Sequence, residues 1–120
     1  MSEVLHLAKR EPRTFPRSRF SSLVAFHRNE LNQILAIYSR MVIAGEWCDY
    51  ALNIGEQEAA FAIYRRRSPV PAYRVVKRVR SGAEGRRYRV VEAGGRVLKE
   101  GANLGEVLPV LLSKRLRLAS

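Results

Sequence analysis

The stretch from residue 46 to residue 100 constrains the fold most, because it consists of short extended segments separated by turn-forming residues. Apolar and polar side chains tend to alternate within the segments, which is typical of strands, and each interruption contains glycine or proline. The predicted strands are Glu46 to Ile54, Ala59 to Arg66, Tyr73 to Arg80, Arg86 to Ala93 and Arg96 to Glu100. Strands joined by such short turns usually pair with their neighbours in sequence. The pattern therefore predicts an antiparallel meander of five strands.

One amphipathic helix is predicted before these strands and a second one after them. From Asn29 onwards apolar residues recur at spacings of three and four, and Gly45 provides a stop. This stripe consists of Leu31, Ile34, Leu35, Tyr38, Met41 and Val42. It is assigned to the core together with Trp47, and Pro109 predicts a kink or a late start in the second helix. The expected class is α+β, with the N-terminal and the C-terminal helix packed on one face of the sheet.

Length and composition indicate one domain with a tail. The chain has 120 residues, of which 47% are hydrophobic and 28% are charged, as is ordinary for a globular protein. Residues 1–18 contain two prolines and show no periodicity, which predicts a flexible basic tail before a single domain over residues 19–118. A single cysteine excludes an internal disulfide framework. No apolar stretch approaches the ~20 residues of a membrane span, and no secretory signal is expected, so the predicted location is cytoplasmic.

Positive charge is concentrated in the second half of the chain. The formal net charge is +11, and residues 61–120 hold fifteen basic and four acidic side chains. Side chains alternate across a strand, so the arginines of the third and fourth predicted strands should gather on one solvent-facing side if the tyrosines and valines pack on the helices. Arginines at the end of the second strand would extend this patch. The predicted binding residues are Arg65, Arg67, Arg74, Arg78, Arg80, Arg87 and Arg89.

The arginine pattern has three interpretations. Like charges on neighbouring strands destabilise a sheet unless an anion compensates, which favours a non-catalytic module that binds nucleic acid or another polyanion. The alternative is a protein-interaction or accessory subunit that docks on an acidic protein. The third interpretation is a solvated sheet face without a partner, on which the arginine stems cover apolar surface. Because the tyrosines are expected to point inward, nucleic acid would be bound by its backbone without base readout. The sequence indicates no oligomeric state.

Candidate catalytic and metal-binding residues are few. A nucleophilic Cys48 would need a general base, and the only histidines are His6 and His27, so a small buried thiol is expected at position 48. Glu46 and Asp49 are predicted on opposite sides of a strand and therefore form no acid/base pair. No group of residues has the spacing of metal ligands or of a phosphate-binding glycine loop. The sequence predicts no enzymatic activity, no metal and no cofactor.

Several short motifs along the chain are similar to those of one family. They include Glu30 to Leu35, Tyr38 to Val42, Asp49 to Ala51, Arg65-Arg66, Tyr73-Arg74, Lys77-Arg78, Leu98-Lys99 and Val107-Leu108. The most specific motif is Gly45-Glu46-Trp47, whereas Cys48 and Pro109 depart from the pattern. Over residues 20–118 the chain resembles a family of short alphaproteobacterial proteins catalogued as domain of unknown function 2794. The resemblance implies a bacterial cytoplasmic protein and implies no activity.

Overall fold

The computed structural model describes residues 23–79 and 85–112. The predicted tail, residues 1–18, lies outside these ranges, as do Arg80 and most of the predicted turn that follows it. Within the described ranges, no helix combines the length and the apolar character needed to cross a lipid bilayer.

Five antiparallel strands form one sheet, in which each strand pairs with the next one along the chain. They are β1 (Asp49–Ile54), β2 (Glu58–Tyr64), β3 (Tyr73–Val79), β4 (Arg86–Glu92) and β5 (Val97–Gly101). The predicted meander is confirmed, although β1 begins three residues later than expected. The hairpin between β4 and β5 turns at Gly94 and Gly95, whose φ angles of +93° and +99° would strain any residue that has a Cβ atom.

A long helix, α1 (Arg28–Ile43), precedes the sheet. Its first turn leaves backbone N–H groups without helical partners, and Glu30 compensates at the helix start because its Oε1 accepts from the His27 N–H at 2.7 Å. At the other end Gly45 adopts a φ of +82°, and its N–H donates to the Val42 carbonyl at 2.9 Å. The helix therefore begins and ends where the sequence pattern predicts it.

The C-terminal helical segment is interrupted next to Pro109. The helix α2 spans Leu104–Val107, the chain turns at Leu108, and residues 109–112 are helical again. Proline has no N–H to donate and its ring clashes with the preceding helical turn, so a regular helix does not continue through it. This agrees with the predicted kink, and the presence of helices beside the meander confirms the α+β class.

One core cluster joins the helices to the sheet. Ile34 and Met41 of α1 belong to it, as do buried residues of the C-terminal helical segment. The other members are Trp47, Phe61, Ile63, Tyr73, Val75, Tyr88 and Val90. Phe61, Val75 and Val90 are partners in three successive strands, so their side chains point to the same side of the sheet. The predicted burial of Trp47 is confirmed.

The helix α1 is rotated relative to the predicted apolar stripe. Its buried residues are Glu30, Ile34 and Met41, whereas Leu35 is only half buried. Val42 is exposed, so its assignment to the core is wrong. This rotation places Glu30 on the buried side of α1, where its charge requires compensating partners from the sheet.

Candidate functional site

Four arginines lie on the side of the sheet opposite the core cluster. Arg74 and Arg78 in β3, and Arg87 and Arg89 in β4, alternate with the core residues of these two strands. In the observed register Arg78 lies directly opposite Arg87, whereas Arg74 and Arg89 are diagonal neighbours. Diagonal neighbours on adjacent strands are about 7–8 Å apart, within reach of long side chains. We name this side of β3 and β4, with its four arginines, the arginine face.

Two carboxylates on the flanking strands compensate part of this charge. Glu58 in β2 accepts from Arg78 Nε at 3.1 Å, and Glu100 in β5 lies 3.3 Å from Arg89 and 3.9 Å from Arg87. These side chains are between 30% and 41% exposed, and ion pairs with such exposure contribute about 0–1 kcal/mol. Arg74 forms no ion pair with the described residues. Four arginines thus face two carboxylates, and the arginine face remains positive.

A small apolar floor lies beneath the guanidinium groups. Its members are Ala60, Val76 and Val91. Val76 lies between Arg74 and Arg78 along β3 and opposite Arg89 in β4. The aliphatic stem of an arginine can lie along such a surface while its charged end stays in water. Truncating one of these arginines to alanine would therefore remove packing as well as charge.

Of the other three predicted binding residues, two do not extend the arginine face and the third is not described. Arg65 donates from Nη2 to the Tyr73 hydroxyl at 3.2 Å, and its guanidinium carbon lies 5.6 Å from the centroid of the Tyr73 ring. Because Tyr73 belongs to the core cluster, Arg65 lies towards the other side of the sheet. Arg67 adopts a φ of +62° in the connection after β2, at the end of that strand distant from Arg78. Arg80 lies outside the described residues.

The thiol of Cys48 is exposed, so the predicted buried thiol is wrong. In an extended chain adjacent side chains point to opposite sides, and the larger neighbour Trp47 occupies the buried position. The Cys48 N–H donates to the Tyr64 carbonyl at 2.9 Å, which aligns the chain with β2 just before β1 begins. Among the residues that the structure describes, no three His, Cys, Asp or Glu side chains lie close enough together to hold a metal ion.

A buried charged network, which sequence reasoning missed, links the start of α1 to the sheet. Lys77 Nζ lies 2.9 Å from Glu30 Oε1 and donates to the Ala25 carbonyl at 2.8 Å. The hydroxyl of Tyr88 donates to Glu30 Oε2. Lys77 is 2% exposed and Glu30 is 8% exposed. Burial of charged groups is tolerated when they are paired and hydrogen bonded, and both groups meet this requirement.

The network changes the pKa values of its two acids in opposite directions. Burial raises the pKa of Glu30, but the hydrogen bonds from Tyr88, from the His27 N–H and from Lys77 outweigh it, so this pKa lies below its usual value. Burial and the adjacent Glu30 carboxylate raise the pKa of Tyr88 to about 12. Near neutral pH the carboxylate is therefore ionised while the phenol keeps its proton, and the network serves as a link between helix and sheet.

Comparison with known proteins gives one family. The model of a family described as "Protein of unknown function (DUF2794)" matches residues 24–108. The matched range contains α1, α2 and all five strands, and with them the arginine face and the buried network. No curated protein and no solved structure matches the chain.

Proposed function

Since the chain belongs to the DUF2794 family of proteins of unknown function, we propose its function from the geometry of the arginine face: a non-catalytic module that binds nucleic acid through the phosphate backbone. The proposal takes both helices to cover the side of the sheet that bears Phe61, Val75 and Val90. Residues of both helical segments share the core cluster with these three side chains, which supports that assignment. The opposite side, with the arginine face, is then left for the ligand.

The direct opposition of Arg78 and Arg87 across β3 and β4 carries this proposal. Like charges in facing positions destabilise a sheet, and the carboxylates that approach these two arginines belong to Glu58 and Glu100. A phosphate group supplies negative charge together with the oxygen geometry that a guanidinium fork recognises. Because the existing ion pairs are partly exposed, replacing a carboxylate by a phosphate loses little free energy.

The proposed contact does not read the sequence of the nucleic acid. Tyr73 and Tyr88 belong to the core cluster, so the aromatic rings of β3 and β4 are directed away from the arginine face. Binding modules that splay out single strands stack bases on exposed aromatic side chains, whereas contacts to phosphate carry no direct sequence information. We therefore expect similar affinity for different sequences of the same length.

Fluorescence anisotropy with labelled single-stranded DNA, single-stranded RNA and duplex DNA tests the proposal. The logarithm of the affinity should fall with the logarithm of the salt concentration, with a slope of about −0.7 to −0.9 per phosphate contact. The double variant Arg78→Gln/Arg89→Gln removes two charges but keeps part of each stem over the apolar floor. It should weaken binding to all three probes and flatten the slope by about two contacts.

The matched control is Arg28→Gln/Arg96→Gln, which removes the same charge from exposed positions at the start of α1 and in the hairpin between β4 and β5. This control should keep the slope of the wild type. An equal loss in both double variants would indicate general attraction to a basic protein and contradict a role for the arginine face. The absence of binding to every probe at low salt would contradict the nucleic-acid proposal and make an acidic protein the partner to test.

A further inference from the structure

The outer edge of β1 is exposed and apolar. β1 is the first strand of the sheet, and all six of its residues are exposed. Tyr50, Leu52 and Ile54, which alternate along the strand, leave 42%, 46% and 61% of their surfaces in water. The only charged residue of the strand is Asp49, at its first position. An edge strand of this kind is a template for pairing with another strand.

The opposite edge of the sheet, β5, carries the features that prevent such pairing. Lys99 and Glu100 place charges in the middle of this five-residue strand. Its register with β4 shifts between Val90 and Val91, which is an irregularity of the β-bulge kind. Charges and bulges both protect sheet edges. The difference between the two edges marks β1 as the edge that is suited to a partner.

The hydrogen-bonding groups of Leu52 and Ile54 point to this open edge. The Val79 N–H of β3 donates to the Gln57 carbonyl at 3.4 Å, and the Ala93 N–H donates to the Ala72 carbonyl at 2.9 Å. The odd-numbered residues of β3 therefore bond towards β2 and the even-numbered ones towards β4. Odd-numbered residues of β3 pair with odd-numbered residues of β2, so the even-numbered residues of β2, such as Ala62, bond towards β1. Because Ala62 pairs with Ala51, the N–H and C=O groups of Ala51 point to β2. The groups of Leu52 and Ile54 therefore point away from β2, where no described strand pairs with them. Directly after β1 this edge is occupied, because the Val24 N–H donates to the Gly55 carbonyl at 2.7 Å, so the open part of the edge ends at Ile54.

The apolar surface continues from β1 onto the flank of α1. The ring of Tyr50 stacks on Phe61, with centroids 4.7 Å apart, and meets the edge of the Tyr38 ring at 5.1 Å. Leu35 and Tyr38 are only half buried against the core cluster. A strand added to β1 would therefore gain backbone hydrogen bonds and would also cover apolar side chains on one side.

We propose that β1 pairs with β1 of a second copy of this chain, antiparallel and about a twofold axis, so that two five-stranded sheets form one sheet of ten strands. Identical strands that run antiparallel satisfy the same groups on both copies. Residues that face each other lie on the same side of a sheet, so Tyr50, Leu52 and Ile54 of the two copies share one side. In the register that places Tyr50 opposite Leu52 of the second copy, Asp49 faces Asn53 rather than another carboxylate.

The charge distribution favours this edge over the strongly basic remainder of the chain for contact between two copies. Two chains of net charge +11 repel each other over most of their surfaces. Residues 21–60, which contain α1 and β1, hold only two basic and five acidic side chains, so the repulsion is weakest there. The strands of the arginine face, β3 and β4, are not the neighbours of β1 in the sheet. This pairing does not depend on the proposed nucleic-acid function.

Sedimentation analysis of the full chain over a range of concentrations, combined with amide hydrogen exchange, tests the proposal. We expect a dimer, and we expect the Leu52 amide to become protected as the concentration rises. The Ala51 amide, which points to β2, is the reference inside the same strand and should not depend on concentration. A monomer at all concentrations overturns the proposal, and so does a dimer in which the Leu52 amide exchanges as freely as in the monomer.

A pair of variants locates the contact. Leu52→Lys puts a cation opposite Tyr50 of the second copy and makes the two new cations diagonal neighbours across the strand pair, so it should raise the dimer dissociation constant more than about tenfold. Val97→Lys makes a similar change on β5, where Val97 is 42% exposed, and should leave the dimer intact. Equal effects of both variants overturn the assignment to β1. Circular dichroism shows whether each variant folds, and hydrogen exchange of the wild type decides the question if Leu52→Lys does not.

Discussion

Lys77 Nζ lies 2.9 Å from Glu30 Oε1, although 47 residues separate the two in the chain. The contact fixes the start of α1 against β3, and the hydroxyl of Tyr88 extends it to β4. Lys77 and Tyr88 point towards the core side of the same two strands whose neighbouring residues, Arg78 and Arg87, point the other way. The buried network therefore stabilises the two strands of the arginine face from the core side of the sheet.

Replacing Lys77 by methionine should lower the free energy of unfolding by about 3–5 kcal/mol, because Glu30 then keeps a buried charge without its cation. Urea denaturation followed by circular dichroism measures this change. Arg96→Met is the control, since it breaks a largely exposed pair with Glu92 and should cost no more than about 1 kcal/mol. The double variant Lys77→Met/Glu30→Leu should recover part of the loss, because apolar residues of similar volume often replace a buried pair without penalty. A loss for Lys77→Met as small as that for the control would contradict the role assigned to this pair.

The stability of the fold should decrease in acid because of Glu30. Its pKa in the folded chain lies below the usual value of 4.5, so the ionised carboxylate stabilises the fold above that pH. This contribution is lost as the pH falls through the lower pKa of the folded state. Urea denaturation between pH 7 and pH 3 should therefore show a steeper loss for the wild type than for Glu30→Gln. Parallel curves for the two proteins would show that Glu30 does not contribute in this way.

Because of Tyr88, the stability of the fold should also decrease at alkaline pH. Its pKa is raised from 10.0 to about 12 in the folded chain, so the neutral phenol stabilises the fold fully below pH 10. Between pH 10 and pH 12 the unfolded chain releases this proton while the folded chain still holds it, so stability falls as the pH rises. Tyr88→Phe should lose less stability than the wild type over this interval. Absorbance of tyrosinate provides an independent measure, in which Tyr88→Phe should lose one late-ionising tyrosine while Tyr38 and Tyr73, whose pKa values are also raised by burial, remain.

Trp47 is the largest side chain of the run that precedes β1. It is 3% exposed, and its ring lies 6.1 Å from that of Tyr38 and 6.2 Å from that of Tyr73. Trp47→Ala should lower the free energy of unfolding by about 3–5 kcal/mol through lost burial and the cavity that remains. Val70→Ala, at an exposed site between β2 and β3, should change it by less than about 0.5 kcal/mol. Thermal unfolding of both variants checks the difference, and an unchanged Trp47→Ala protein would contradict the core assignment.

The sheet was predictable from the sequence because its signals are local. Alternation within each strand and glycine or proline between strands specify which residues pair, and the positions of Arg74, Arg78, Arg87 and Arg89 on one side follow from that alternation. The same alternation places Arg65 on the side of Phe61 and Ile63, where it contacts Tyr73. Its assignment to the arginine face was therefore wrong on the sequence pattern itself.

The buried network was not predictable because its partners are distant in sequence. Alternation puts Lys77 on the same side as Val75, but a lysine in that position becomes buried only when an acid from another element reaches it. The spacing of the apolar residues in α1 predicts an apolar face, but it does not predict which side of that face is most buried. From the sequence, Glu30 was therefore interpreted as a charge at the helix start and not as a buried residue. Only the packing of α1 on the sheet brings Glu30, Lys77 and Tyr88 together.

The two proposals together predict that binding depends on the length of the nucleic acid. In the paired sheet both arginine faces lie on the same side, and five strand spacings of about 4.8 Å place β3 of one copy about 24 Å from β3 of the other. At the duplex rise of about 3.4 Å per nucleotide, about seven nucleotides cross this gap, and an extended single strand needs fewer, besides those that each face contacts. Once an oligonucleotide can reach both faces, affinity should rise by more than the statistical increase with length.

A series of single-stranded oligonucleotides of increasing length, measured by anisotropy above the dimer dissociation constant, checks this expectation. Leu52→Lys should bind short oligonucleotides at least as well as the wild type, because it adds a positive charge, but should lose the additional affinity for long ones. Val97→Lys adds its charge opposite Val91 of the apolar floor, so it should raise the affinity at every length and keep the additional affinity for long oligonucleotides. A smooth increase with length that is identical in all three proteins would contradict joint binding by two arginine faces, whether or not each face binds phosphate by itself.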